Sequence, residues 1–101
     1  KKNIIKINID KIFEEVIKSL KKSNSLQKNS KITNSTSLTG FKSPFDSVSF
    51  IELTTSVEEK VEKEMGKSFS IILNEIPEFK KNSGTIKIKD LKKYIQKKIK
   101  N

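Results

Sequence analysis

Apolar positions recur at helical spacing in three stretches of the chain, and the pattern breaks down between them. Ile9, Ile12, Phe13, Val16, Ile17 and Leu20 fall on one stripe, so the spacing predicts a helix over residues 8–22. Asn8 or Asp10 can cap it; Glu14 and Glu15 come early, and Lys18, Lys21 and Lys22 late, as the helix dipole prefers. Phe50, Leu53, Val57, Val61 and Met65 form a second stripe, predicting a helix over 47–66 that Gly66 ends. Its other faces carry Glu52, Glu58, Glu59, Glu62 and Glu64. A third stripe, Ile88, Leu91, Tyr94, Ile95 and Ile99, closes a helix within 85–99, with lysines outside and Thr85 available as a cap.

The intervening stretches read differently. Residues 23–40 are rich in Ser, Asn and Thr and show no period, which predicts a long loop anchored by Leu26, Ile32 and Leu38. Gly40 and Pro44 punctuate the approach to the second helix, and Phe41 and Phe45 are expected to pack back on the core. Phe69, Ile71, Ile72 and Leu73 make an apolar run of strand length, and Lys80 to Gly84 reads as a loop. With 101 residues, a single domain with one core is expected, residues 1–7 forming a tail.

Composition narrows the chemistry. The chain has no cysteine and no histidine, which removes disulfides, thiol catalysis, zinc sites of the usual ligands and histidine-dependent triads. No metal site is expected, and thiol chemistry would have to come from an attached group. No apolar run approaches the ~20 residues of a membrane span. The opening Lys1 to Ile9 is too broken by polar residues for a signal-peptide core, so a cytoplasmic monomer is expected.

Charge is unevenly placed. Residues 1–45 carry ten Lys and three acids, giving +7; residues 46–79 carry three Lys and eight acids, giving −5; residues 80–101 carry nine Lys and one acid, giving +8. The acidic island coincides with the second predicted helix. Lysine-rich ends allow a basic helical module that binds nucleic acid or an acidic protein partner. There is no Arg and little aromatic interleaving, so solvated surface is favoured and no nucleic acid is expected.

Attention therefore falls on Asp46-Ser47-Val48, where a loop runs into the acidic helix. Backbone N–H groups at a helix start lack partners, and the dipole there favours an attached phosphate at Ser47. A capping or loop serine is the plainer role, and Ser49-x-x-Glu52 also fits a capping box.

Asp46-Ser47-Val48, then Glu52-Leu53 and Val57-Glu58-Glu59, resembles the Asp-Ser-Leu signature and second helix of acyl carrier proteins. Lys87 to Ile95 is similar to the closing Thr-Val-x-Asp-Leu-x-x-Tyr-Ile pattern of that family. The resemblance implies an all-α fold, a small four-helix bundle with a long first loop. An extended stretch at 69–73 would lead to a short third helix, with 74–79 holding that helix or a turn. It implies that Ser47 carries 4′-phosphopantetheine, covalently attached from coenzyme A, whose thiol holds acyl or aminoacyl groups. Asp46 would belong to the recognition signature. Val48 and Ile51 would be partly exposed apolar contacts, and Glu52, Glu58 and Glu59 would face basic patches on partners. Those partners would be a phosphopantetheinyl transferase and the loading and acyl-transfer enzymes of fatty-acid, polyketide or related biosynthesis. The protein itself would be a carrier and not an enzyme.

Overall fold

The structure, a computed structural model, describes residues 7–100, so all but the last residue of the expected tail at 1–7 lies outside the described residues. The order is α1 (Ile9–Lys22), α2 (Ser47–Met65), a 3-10 turn (Leu73–Glu75), α3 (Pro77–Lys81) and α4 (Ile88–Lys100). The fold is all-α; β pairing among the described residues is confined to an isolated antiparallel bridge between Ser37 and Lys87. One apolar cluster unites the elements, and α1 packs against both α2 and α4.

Between the two expected caps of α1, the chain uses Asn8. Its Oδ1 accepts from Lys11 N at 3.0 Å, because a cap must precede the first helical residue. Asp10 lies one residue inside, exposed, and receives Lys92 Nζ at 2.8 Å. Ile9, Ile12, Phe13, Val16 and Leu20 are buried, with Ile17 at the edge.

Loop 23–46 is irregular but fixed. Leu26, Leu38 and Phe45 are buried, and the backbone is stitched to the far end of the chain. Leu38 N donates to Ile86 O at 2.8 Å, Ile88 N to Thr36 O at 3.0 Å and Lys89 N to Asn34 O at 2.9 Å. The loop carbonyls thus satisfy the first N–H groups of α4, which no cap residue need then serve. Thr85 does not cap α4. The helix begins at Ile88, the first residue of the apolar stripe, because Ile86 and Lys87 are spent on pairing with the loop. Asp90 Oδ2 reaches back to accept from Lys87 N at 3.0 Å.

Residues 67–72 form a strap without helix or strand, leading into the 3-10 turn, and side chains hold its backbone. Phe69 N donates to Glu62 Oε2 at 3.1 Å, Ile71 N to Glu58 Oε2 at 2.7 Å and Ile72 N to Tyr94 Oη at 3.1 Å. Tyr94 Oη donates to Glu75 Oε1 at 2.7 Å, and Lys98 Nζ donates to Ser70 O at 2.7 Å. The Tyr94 hydroxyl, then Lys98, hold the Glu75 carboxyl below its ordinary value. Burial works against the charge on Lys98, yet its hydrogen bonds to Tyr94 and Glu75 outweigh this and raise its pKa. Tyr94→Phe removes the acceptor for Ile72 N and is expected to cost about 1 kcal/mol. Amide exchange at Ile72 should quicken well before that of Ile71, which keeps its Glu58 partner.

The expected third helix at 74–79 is split. A 3-10 turn precedes α3, which starts on Pro77, where a missing N–H costs nothing. Lys80 and Lys81, expected in a loop, complete α3 instead; the stop comes from Ser83 and Gly84, whose φ angles are 55° and 87°.

Candidate functional site

The junction between loop and α2 is built outward from Phe45, which is buried and pins the chain before Asp46. Upstream, Ser43 N donates to Gly40 O at 3.2 Å, closing a turn over Phe41 and Lys42. Gly40 has φ 98°, a left-handed conformation that side chains resist. Ser43 Oγ donates to Ser37 O at 2.7 Å and accepts from Phe45 N at 3.0 Å. Phe41 does not pack back on the core: it stands fully exposed at the tip of this turn, while Phe45 alone turns inward.

Asp46 is the N-cap of α2, with extended backbone. Its Oδ1 accepts from Ser49 N at 2.8 Å, and Ser49 Oγ accepts from Asp46 N at 3.0 Å. The capping box is therefore Asp46 with Ser49. The Ser49–Glu52 pairing is not formed, because Ser49 already lies at the third helical position, and Glu52 is exposed. Ser49 is also on the core stripe, four residues before Leu53, and is buried at 1% exposure. Hydrogen bonds from Ser49 N, and next from the Ser49 hydroxyl, hold the Asp46 carboxyl below its ordinary value.

Ser47 is the first residue of α2 and is exposed. Its hydroxyl has no hydrogen-bond partner among the described residues. The two serines are thus separated by role: Ser49 closes the helix end, and Ser47 faces solvent on the positive end of the helix dipole. A phosphodiester at Ser47 would share that end with the Asp46 carboxylate.

Val48 and Ile51 are 64% and 59% exposed and lie three residues apart, on one face. Glu52, Thr55 and Glu59 continue that face and are exposed. A shallow groove of about 370 Å³ runs beside it against the end of α1, lined by Leu20, Ile51, Glu52, Thr55 and Glu59 among others. Glu58 is set apart: half-buried, it holds the strap through Ile71 N and is not a free surface acid. Glu62 has the same task at Phe69. Nothing in the acidic run distinguishes these two clamps from Glu52 and Glu59, since their partners lie 7 to 13 residues onward in a segment without period. The burial of Ser49 was open to reading, from its four-residue spacing to Leu53.

No protein-family model, no curated protein and no solved structure matches the chain. Among the described residues no group of acids could hold a metal ion, and no helix is long and apolar enough to cross a membrane.

The lowered Asp46 value carries a pH consequence. A carboxylate with a depressed folded-state pKa stabilises the fold above its unfolded value and loses that contribution as pH falls through the folded one. Asp46→Asn keeps a capping side chain but cannot titrate. It should melt below the wild type at pH 7, and the gap should close below about the ordinary value of 3.8, as thermal melts across pH would record.

Proposed function

We propose that this chain is a carrier protein with the four-helix architecture of acyl carrier proteins, and that Ser47 holds its 4′-phosphopantetheine arm. The observation that carries the reading is the division between two neighbouring serines. Ser49 is buried and hydrogen-bonded to Asp46, whereas Ser47 presents a free hydroxyl at the start of a long helix. In the modification, the Ser47 oxygen attacks the coenzyme A phosphorus that bears the pantetheine. The phosphoanhydride bond to the adenosine moiety breaks, adenosine 3′,5′-bisphosphate leaves, and the serine proton passes to a base of the transferase. The thiol then supplied at the arm's end provides the sulfur chemistry that a chain without cysteine lacks.

In this reading Asp46 fixes the helix start, and Val48, Ile51, Glu52 and Glu59 meet partner enzymes that load and transfer acyl or aminoacyl groups. Glu58 contributes from beneath by holding the strap. Acidic residues on that face speed encounter with basic surfaces and weaken with salt. A purely basic binding module has less support, because Lys92, Lys93 and Lys98 on α4 are paired with Asp10, Glu78 and Glu75. Incubation with coenzyme A and a phosphopantetheinyl transferase should add one arm per chain, read by intact mass. No addition, under conditions that load a control carrier, overturns the reading.

A further inference from the structure

The carrier reading leaves the most exposed large apolar side chain of the described residues without a task. Phe41 is more exposed than any other large apolar residue of the described chain, at 104%. An aromatic ring fully in water forgoes the gain of burial, a loss that a turn residue such as Asn or Ser would not suffer. Its turn is no loose tip. Gly40 O receives Ser43 N, Ser43 Oγ bridges Ser37 O and Phe45 N, and neighbouring Thr39 Oγ1 donates to Gly84 O at 2.7 Å. Thr39 Oγ1 also accepts from Ile86 N at 3.1 Å. The backbone that carries Phe41 is thus fastened both to the segment before α2 and to the segment before α4.

A ring presented on a fixed support suffers little ordering cost when it enters a partner's pocket. Aromatic residues, phenylalanine among them, are enriched in the cores of protein interfaces. Phe41 stands six positions before Ser47, on the same braced loop that ends at Phe45 and Asp46. Beyond Ser47 the exposed face of α2 continues with Val48 and Ile51, then Glu52 and Glu59. Apolar side chains therefore flank the hydroxyl in sequence on both sides, and acids follow on one side. A surface that covers this array must offer apolar pockets near its own reactive groups and basic side chains farther out.

We propose that Phe41 is a docking anchor for the phosphopantetheinyl transferase that modifies Ser47, an enzyme surface with an apolar pocket for the ring and basic side chains opposite Glu52 and Glu59. The proposal rests on the carrier reading and adds to it a contact outside α2. Phe41 acts by binding and not in the chemistry, so its loss raises KM and leaves kcat unchanged.

The test is the rate of loading by such a transferase with coenzyme A, on the full chain, for the wild type, Phe41→Ala and Phe41→Leu. Phe41→Ala should lower kcat/KM by roughly five- to tenfold, through KM, and Phe41→Leu should recover most of it. Thermal melts should coincide for all three, since the ring packs against nothing. Equal kinetics for wild type and Phe41→Ala would overturn the anchor and leave the carrier reading standing. A fall confined to kcat would also overturn it. Failure to load the wild type, beside a control carrier that loads, overturns both.

Discussion

Ser47→Ala is expected to abolish attachment of the proposed phosphopantetheine arm, leaving the intact mass unchanged after incubation with coenzyme A and transferase. The loss should be complete, because no other nucleophile shares the position: Ser49 is sealed, and its hydroxyl is committed to Asp46. Stability should barely change. Ser47 is exposed at the first helical position, where alanine is an acceptable residue, and surface substitutions of this kind stay within about 0.5 kcal/mol. Ser49→Ala should behave in the opposite way. It removes one half of a capping box and leaves Asp46 N without its partner, at a cost of about 1–2 kcal/mol. Yet it should still accept the arm below its melting temperature. The crossed pair separates the two serines cleanly: one variant folds and does not load, the other loads and folds less well. Loading at Ser49 in a Ser47→Ala chain would show that the division of roles is wrong.

How far this was legible in the residues differs from element to element. The stripes of α1 and α2 were plain, since Ile9 to Leu20 and Leu53 to Val61 repeat at three and four and are buried as expected. Phe50 and Met65, at the ends of the α2 stripe, are only half-buried; at the start of the helix the fully buried position is Ser49, four residues before Leu53. The start of α4 was not legible: it depends on carbonyls of Asn34 and Thr36, more than fifty residues away in sequence. Local capping preferences hold no information about such a partner. Phe41 was misplaced for a related reason. Two phenylalanines four residues apart looked equally fit for the core, but the turn at Gly40–Ser43 turns one outward while Phe45 faces in. At the site, the position of Ser47 at a helix start followed from the pattern, whereas the contest between Ser49 and Glu52 for the capping box was decided by the helix register. Ser49 would be the cap only if α2 began three residues later, at Phe50; because it begins at Ser47, Ser49 sits at the third helical position, and sequence spacing alone does not resolve that.

Leu53→Ala is expected to be the most damaging single truncation in α2. Leu53 is wholly buried in the cluster that joins α1, α2 and α4, with Val57 and Val61 below it. Large-to-small changes at such sites cost about 2–5 kcal/mol, the sum of lost transfer energy and the cavity left behind. Domains of this size have only about 5–15 kcal/mol of stability in all. A fall in melting temperature of about 10 °C or more should follow, with the denaturant midpoint shifted and the slope unchanged. Val48→Ala and Ile51→Ala remove comparable apolar bulk from the same helix but from its exposed face, so each should shift the melt by no more than a degree or two. The contrast bears on function as well as on packing. Leu53 stands six residues after Ser47 and fixes the helix whose first turn presents that hydroxyl. Near its lowered melting temperature Leu53→Ala should therefore load poorly, and at low temperature, where it is folded, at the wild-type rate. Val48→Ala and Ile51→Ala should do the reverse, remaining folded throughout while raising the transferase KM at every temperature. A Leu53→Ala chain as stable as Val48→Ala would mean that α2 presents a different face to the core, and the exposed position of Ser47 would fall with it.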